Sequence, residues 1–307
     1  MKPGASHIEA IRLAIAGFTF WVLTDSTIKA IGRSTLPAYE VIAFMGLMIC
    51  ICMVCWTGAR GEMRALRSTQ PRRQLVRSCL DLINNIGVVV ALRHVPLTLF
   101  YILVFSSPMV ITILAAAFLK ERFELRKAIA ILVGFAGVVI AVNPFSTSRQ
   151  GDWIGFAACM ICVICFSVNM VWSRVLTRTQ TPESLTFFSG GLMAVAGFGA
   201  MLWHAEAIGI RMALMLLLMG VFCATGTICF FVAIKHTSAG NVSQYHYTQL
   251  LTGALVAYIV WRELPTLWMV SGGFLIVASG FYIAWLAVQA GRPTPAEGSA
   301  DLSHGAL

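Results

Sequence analysis

Two stretches of the 307-residue chain match each other and decide how the sequence is organised. They read ALRHVPLTLFYILVFSSPMVITILAAAFLKE from Ala91 to Glu121 and AIKHTSAGNVSQYHYTQLLTGALVAYIVWRE from Ala233 to Glu263. Near its start each stretch has a basic residue followed by histidine, and each ends with a basic residue followed by glutamate. Because these charged pairs recur in register within apolar segments, the chain is predicted to contain two copies of one unit.

Earlier positions in each half extend this match. They pair Lys29 with Arg174, Pro37 with Pro182, and Gly46-Leu47-Met48 with Gly191-Leu192-Met193. Each copy is predicted to hold five membrane-spanning helices, and five is an odd number. The second copy therefore crosses the membrane in the opposite orientation, which is the inverted-repeat construction of many secondary transporters. The alternative is a duplicated packing unit that transports nothing.

The composition places the chain in a lipid bilayer. Hydrophobic residues make up 58% of the sequence and charged residues 11%, against roughly a quarter charged in a soluble domain. The net charge of +9 comes from basic residues that lie between apolar runs. In that position they act as signals for membrane topology. A soluble globular protein is excluded, and nucleic-acid binding is not expected.

The fold class predicted is an all-α integral membrane protein with ten transmembrane helices as two inverted five-helix repeats. A span needs about 20 apolar residues. The predicted helices are 11–31, 38–58, 75–93, 97–119, 127–144, 153–174, 183–204, 212–234, 241–261 and 267–289. Residues 11–145 and 153–289 then form the two repeats. Residues 1–10 are a predicted cytoplasmic N-terminus, retained because no cleavable signal is evident, and residues 291–307 a predicted disordered cytoplasmic tail.

Lysine and arginine positions predict the orientation. With a cytoplasmic N-terminus, sixteen Lys and Arg residues lie on the inner side and six on the outer side. The positive-inside rule then places both termini in the cytoplasm and the chain in the inner, or plasma, membrane as a multi-pass protein.

The sequence gives no indication of an enzyme, a metal centre or a cofactor. All nine cysteines fall inside apolar segments, where cysteine behaves as a small hydrophobic residue. Cys159, Cys162 and Cys165 share a helix face, but no His, Asp or Glu joins them, so ordinary packing is expected. The chain contains no Gly-x-Ser-x-Gly or His-Glu-x-x-His motif and no phosphate-binding glycine loop. An intramembrane enzyme would need such a catalytic set.

Several short motifs, taken in order, resemble the EamA branch of the drug/metabolite transporter superfamily. They are Ser107-Pro108, Leu119-Lys120-Glu121, Gly134-Phe135-Ala136-Gly137-Val138-Val139, Tyr247-Thr248-Gln249 and Trp261-Arg262-Glu263-Leu264-Pro265. The resemblance covers about residues 11–288 and implies ten helices in two repeats. Members commonly have an arginine in the second helix, where this chain has Phe44-Met45-Gly46. Their substrates range from amino acids and S-adenosylmethionine to choline-like cations and drugs, so the resemblance names no single substrate.

Ionisable residues at bilayer depth are the candidate site residues, because they are costly unless paired or facing water. Asp25 and Lys29 lie four residues apart on the first helix, which fits either an internal ion pair or a substrate clamp. Asp81 on the third helix is followed by Asn84 and Asn85. If Arg77 neutralises Asp81 the cluster is structural. Otherwise the carboxylate is free to bind an ammonium group or a proton, and this reading is favoured.

The ninth helix carries the most polar and aromatic cluster of any span. The cluster consists of Tyr245, His246, Tyr247 and Gln249. Its histidine titrates near neutral pH and its rings can stack on a ligand, although an interior hydrogen-bonding role fits equally well. Gln249 aligns with Ser107, so both are expected near the midplane where inverted-repeat transporters bind substrate. The family resemblance implies a cavity that also includes Trp21, Tyr101, Asn169, Trp172 and Thr225.

The sequence therefore predicts a secondary transporter that moves a small polar, amino- or cation-bearing metabolite by alternating access. The predicted substrate contacts are Asp25, Asp81, Asn85, Tyr101, Asn169, Trp172, Tyr245, His246 and Gln249. The predicted partners are a small-molecule substrate and the lipid bilayer, with a proton or an exchange substrate for coupling, in a monomer or homodimer. No cofactor and no nucleic acid are expected. A flippase for a lipid-linked substrate and a non-transporting membrane scaffold are the alternatives.

Overall fold

The computed structural model describes residues 3–32, 34, 36–119, 125–143, 153–176, 179–206, 208–236 and 248–290. Within these ranges the chain forms α-helices, one short 3-10 helix at Met63–Leu66 and no strand. The helices are α1 (Pro3–Ile31), α2 (Ala38–Ala59), α3 (Pro71–His94), α4 (Leu97–Val104), α5 (Ser107–Leu119), α6 (Leu125–Val142), α7 (Trp153–Leu176), α8 (Pro182–Met201), α9 (Ile210–His236), α10 (Thr248–Trp261) and α11 (Leu267–Ala290).

The helices have the length and composition of membrane spans. Among the described residues, eight helical segments are long and apolar enough to cross a bilayer, with α4 and the first part of α5 counted as one. Helix α10 and the segment Leu267–Ile283 of α11 are shorter apolar helices. The chain is therefore a multi-pass integral membrane protein. Helix α1 begins at Pro3, well before the predicted start at residue 11, and the predicted tail at 291–307 lies outside the described residues.

Proline sets where several helices begin. Pro71 and Pro182 occupy the first turn of α3 and α8, where a missing backbone N–H costs nothing because that group has no partner within the helix. Thr181 caps α8, since its hydroxyl accepts a hydrogen bond from the backbone N–H of Ser184 at 3.2 Å.

The fourth predicted helix, 97–119, is broken in two. Helix α4 ends at Val104 and α5 begins at Ser107, directly before Pro108. Pro108 has no N–H to donate to the carbonyl of Val104, and the hydroxyl of Ser107 donates to that carbonyl instead, at 2.5 Å. The break thus lies where the proline predicts a kink, and a side chain satisfies the carbonyl that it leaves free.

Helices of the first half pack against helices of the second half in a regular order. Helix α1 packs along α9, α2 along α8, α3 along α7, and α6 along α11. Glycines allow two of these pairs to approach closely. A Cβ on Gly46 would lie 2.5 Å from the carbonyl oxygen of Gly190, and one on Gly137 would lie 2.7 Å from that of Gly272. These glycines serve close helix packing.

The bundle has two ends that hold different connections. At one end, which we call the Glu263 end, α1 gives way to α2, α3 to α4, and α10 to α11. Arg93 donates from Nη2 to the carbonyl of Leu36 at 2.5 Å there. The opposite end holds the 3-10 helix and the turn before α8, which are joined where the Thr181 hydroxyl donates to the carbonyl of Ala65 at 2.5 Å.

Candidate functional site

Asp25 lies inside the bundle and is held by a neutral partner. The hydroxyl of Tyr101, on α4, donates to Oδ2 of Asp25, on α1, at 2.8 Å. Tyr101 is 2% exposed, whereas Asp25 is only partly buried. Among the described residues, no basic side chain lies within ion-pair distance of Asp25. Within the part of the chain that the structure describes, this carboxylate therefore has a hydrogen-bond donor but no countercharge.

Helix α10 completes the surroundings of Tyr101. Gln249, buried on the first turn of α10, donates from Nε2 to the carbonyl of Phe18 on α1 at 3.3 Å. One turn further along, Gly253 lies against the ring of Tyr101 so closely that an added Cβ would overlap the ring carbons. The glycine thereby makes room for the ring that carries the hydroxyl to Asp25.

Asp25 and Asp81 border one central region of the bundle. The thiol of Cys223, near the middle of α9, lies within electrostatic range of both carboxylates. Cys162, on α7, lies within range of Asp25 and donates from its thiol to the carbonyl of Asn84 at 3.4 Å. Helices α1, α3, α4, α7 and α9 therefore converge here. We call the region bounded by Asp25, Asp81, Tyr101, Asn169 and Cys223 the central region.

Arg77 is the hub of a hydrogen-bonded network on the Asp81 side. From Nη2 it donates to the carbonyl of Leu185 at 2.7 Å and to the hydroxyl of Ser189 at 2.6 Å, both on α8. From Nη1 it donates to Oδ1 of Asn169 at 3.3 Å, and Asn169 donates from Nδ2 to Oδ1 of Asp81 at 2.8 Å. Oδ2 of Asp81 lies 3.7 Å from Nη2 of Arg77.

This network supplies what the structural alternative for Asp81 requires. Arg77 and Asp81 form an ion pair, and Asn169 is hydrogen-bonded to both side chains. Asp81 keeps a quarter of its side chain exposed, so it borders the central region while serving the network. Asn85 donates to the backbone carbonyl of Asp81 at 2.8 Å, a bond within one helix turn. Its amide group is therefore used locally.

Asp25 and Lys29 do not form the ion pair that the sequence allows as one alternative. Lys29 is 8% exposed and binds Oε1 of Glu263, which follows α10, at 2.5 Å. The other oxygen of Glu263 accepts a hydrogen bond from the backbone N–H of Leu97 at 3.2 Å. The carboxylate thus satisfies a backbone N–H at the start of α4.

The predicted aromatic site residues other than Tyr101 form no hydrogen bond with Asp25 or Asp81 among the described residues, or lie outside those residues. Trp172, on α7, is 39% exposed, and no hydrogen bond to the central region holds it. Trp21, on α1, donates from Nε1 to the hydroxyl of Thr227 at 3.3 Å. Tyr245 and His246 lie outside the described residues.

Sequence reasoning missed two contributors, Cys223 and Gly253, whereas it named Arg77 as a possible neutralising partner of Asp81. Cys223 was treated as ordinary packing, and Gly253 was not singled out. Only contacts between helices reveal the positions of these last two. Among the described residues, no group of three His, Cys, Asp or Glu side chains could hold a metal ion.

Comparison with solved structures supports the fold. One crystal structure is similar to this chain with a TM-score of 0.65 at 16% identity, covering 94% of this chain and 99% of that one. At this identity the likeness concerns the fold alone.

Several curated relatives are membrane transporters. The chain is 26% identical over 272 residues to the pseudopaline exporter of Pseudomonas aeruginosa, covering 86% of this chain and 92% of that protein. It is 23% identical over 286 residues to the S-adenosylmethionine uptake transporter of Rickettsia bellii, covering 91% and 95%. It is 25% identical over 293 residues to the riboflavin transporter of Rhizobium johnstonii, covering 92% and 93%.

A family model matches more than half of the chain. The model of the EamA-like transporter family matches at residues 9–143 and at residues 153–285. The chain belongs to the EamA-like transporter family.

Proposed function

We propose that the chain is a secondary transporter that moves a small polar, amino- or cation-bearing metabolite, such as an amino acid or an S-adenosylmethionine-like compound. Transport runs across the inner membrane by alternating access around the central region. The chain crosses the membrane ten times, as two inverted five-helix repeats with both termini in the cytoplasm. The alternatives for coupling are a proton, an exchange substrate or uncoupled facilitated movement.

The order of helix packing supports the inverted repeats. Counting α4 and α5 as one helix, the first helix of each repeat packs along the third helix of the other: α1 with α9, and α7 with α3. The second helices pack along each other, and so do the fifth: α2 with α8, and α6 with α11. A two-fold axis relates contacts in this reciprocal way. In an inverted-repeat transporter that axis lies in the membrane plane and the substrate binds near it.

Asp25 carries the proposal for a cation-bearing substrate. Lys29 would be its countercharge, but Lys29 is bound to Glu263. Tyr101 donates one hydrogen bond and supplies no charge. A carboxylate inside a membrane protein attracts a positive group, because both lose most of their hydration there. An ammonium or sulfonium group of a metabolite supplies that charge.

The relatives support a class of substrates. S-adenosylmethionine, the substrate of the Rickettsia bellii relative, carries a sulfonium cation. The riboflavin and pseudopaline transporters match this chain at similar identity. Asp25 is therefore the basis for proposing a substrate with a positive group. The individual metabolite is to be found by experiment.

A flippase for a lipid-linked phosphate is the main rival. It would need basic side chains for the phosphate, and Arg77 is the buried arginine nearest the central region. That guanidinium binds Asp81, Asn169, Leu185 and Ser189. These contacts favour a polar metabolite over a phosphate.

The test is ligand-induced stabilisation of the purified protein, followed by flux into liposomes. Amino acids, sulfonium and quaternary ammonium metabolites, riboflavin and lipid-linked phosphates form the panel. A ligand at 100 times its Kd stabilises the folded protein by about 2.7 kcal/mol, which raises the apparent Tm. We expect at least one cationic or amino-bearing compound to bind and to be transported.

Asp25→Asn distinguishes the proposed contact from a general loss of folding. It removes the charge but keeps a side chain of the same size, so we expect folding to persist and affinity for the cationic ligand to fall about tenfold or more. Glu206→Gln, which removes an exposed carboxylate, is the control and leaves affinity unchanged. Stabilisation by lipid-linked phosphates alone, or full affinity in Asp25→Asn, contradicts the proposal.

A further inference from the structure

Glu263 binds two other helices at the Glu263 end of the bundle. Its Oε1 lies 2.5 Å from Nζ of Lys29, on the last turn of α1, and its Oε2 accepts from the backbone N–H of Leu97 at the start of α4. Lys29 also lies over the ring of Trp261, with Nζ 5.6 Å from the ring centre. One carboxylate thus joins α1, α4 and α10.

The backbone before Glu263 directs it toward these partners. Arg262 has a φ of +55°, in the left-handed region, and so ends α10. The N–H of Glu263 then turns back to donate to the carbonyl of Ala257 at 3.2 Å. In addition, a carboxylate at the start of α4 is favoured by the positive end of that helix dipole.

The pair can be reached from the surface of the bundle. A cleft of about 350 Å³ is lined by Lys29, Arg93, His94 and Glu263 together with apolar residues such as Leu92 and Val95. Asp25 lies one helix turn before Lys29 on α1, so the pair lies between this cleft and the level of Asp25 along that helix.

The three helices that Glu263 joins are the ones that build the site around Asp25. Helix α1 supplies Asp25, α4 supplies Tyr101, and α10 supplies Gly253 against the Tyr101 ring. Closing these helices together at one end closes that end of the central region. A single ion pair can also break and re-form without repacking a whole helix interface.

We propose that the Lys29–Glu263 pair is a latch that closes the central region at the Glu263 end, and that its opening admits or releases substrate there. This latch rests on the proposed transport function. Glu263 holds the closed state through two bonds, to Lys29 and to Leu97. Removing its charge weakens both bonds and shifts the population toward a state open at that end.

Cys223 reports on the latch without any substrate. Its thiol is partly buried beside the central region, so opening of one end is expected to raise its rate of reaction with a membrane-impermeant maleimide added from that side. The reagent is added to the intact protein in sealed vesicles, from one side and then from the other. Mass spectrometry then quantifies labelling at Cys223. We expect Glu263→Gln to raise the labelling rate from the Glu263 side by about fivefold or more.

Matched variants separate the latch from a change in folding. Lys29→Gln removes the same ion pair but keeps the Leu97 bond, and we expect a smaller increase. Lys29→Arg keeps the charge and the wild-type rate. Glu206→Gln removes a carboxylate at the same end, where the Glu206 backbone N–H donates to Oε1 of Glu40 at 2.8 Å, and leaves the rate unchanged. If Glu263→Gln does not fold, Lys29→Gln decides the question.

The latch is wrong if both neutral variants keep the wild-type labelling rate, or if labelling rises only from the opposite side. These outcomes are separate from the transport test. A chain that transports but shows no change in labelling disproves the latch alone. A labelling increase in a chain that binds and transports no member of the panel supports a latch and argues against the proposed function.

Discussion

Two acid–base pairs, each four residues apart on one helix, behave in opposite ways. On α3, Arg77 and Asp81 form an ion pair at 3.7 Å. On α1, Asp25 and Lys29 turn to other partners: Tyr101 for the acid and Glu263 for the base. The acid-first order on α1 is the more favourable one in an isolated helix, yet it is the pair that does not form.

Neighbouring helices explain the difference. The guanidinium of Arg77 donates to neutral acceptors on α7 and α8. Because these acceptors carry no charge, the carboxylate of Asp81 remains its countercharge. Lys29 meets a second carboxylate, and Asp25 meets a hydroxyl that can donate. A spacing of four residues places two side chains on one helix face, but the neighbouring helices decide whether they form an ion pair. The contacts of the α3 pair fit a structural role, and the α1 residues are divided between the candidate site and the proposed latch.

The largest expected effect comes from breaking the α3 pair. Arg77→Leu leaves Asp81 without its countercharge and removes donors from Asn169, Ser189 and the Leu185 carbonyl. Loss of one partner of a buried pair costs about 3–5 kcal/mol, reduced here because Asp81 is partly exposed. We expect a clear fall in the Tm of the purified protein.

Arg77→Lys is the control for this substitution. It keeps the charge but loses the geometry that reaches several acceptors at once, so an intermediate Tm is expected. An unchanged Tm in Arg77→Leu would mean that the network contributes little to stability. Asp81 would then regain the role of a substrate contact.

A smaller effect is expected from disturbing the partner of Asp25. Gly253→Ala places a methyl group against the Tyr101 ring, which must shift away from its present position. Overpacking of this kind costs about 1–3 kcal/mol. A displaced ring also weakens the bond to Asp25, so binding of the cationic ligand falls along with the Tm.

Gly191→Ala is the matched control for Gly253→Ala. Gly191 also lies inside a helix, α8, but an added Cβ there meets nothing within 4 Å. Alanine has the higher helix propensity, so this variant gains up to about 1 kcal/mol. Equal effects of the two substitutions would show that Tyr101 tolerates displacement.

Hydrophobic runs and the internal repeat predicted the fold class because helix length and apolar composition are local properties of the chain. The membrane location follows from the same local signals, the break near Pro108 from the missing N–H of proline, and the family from the resemblance of short motifs. Contacts between helices could not be predicted in this way. The meeting of Gly46 with Gly190 is one example, since sequence spacing does not say which helices meet.

The candidate site was predictable in part. Asp25, Tyr101 and Asn169 were singled out, and the structure brings them to the central region. The partner of each charge was not predictable, because Lys29 has Asp25 one turn before it and Glu263 more than two hundred residues away. Only the folded arrangement determines which carboxylate is nearer to Nζ.

The smallest effect is expected from a neutral link at the opposite end of the bundle. Gln180 accepts from the backbone N–H of Thr69 at 3.2 Å and donates from Nε2 to the hydroxyl of that residue. Gln180→Ala removes these bonds at a cost of about 1 kcal/mol. It joins two connecting segments and no helix that borders Asp25, so Cys223 labelling stays at the wild-type rate from both sides. An increase comparable to that of Glu263→Gln would show that any loosened end opens the central region, and the latch would lose its special position.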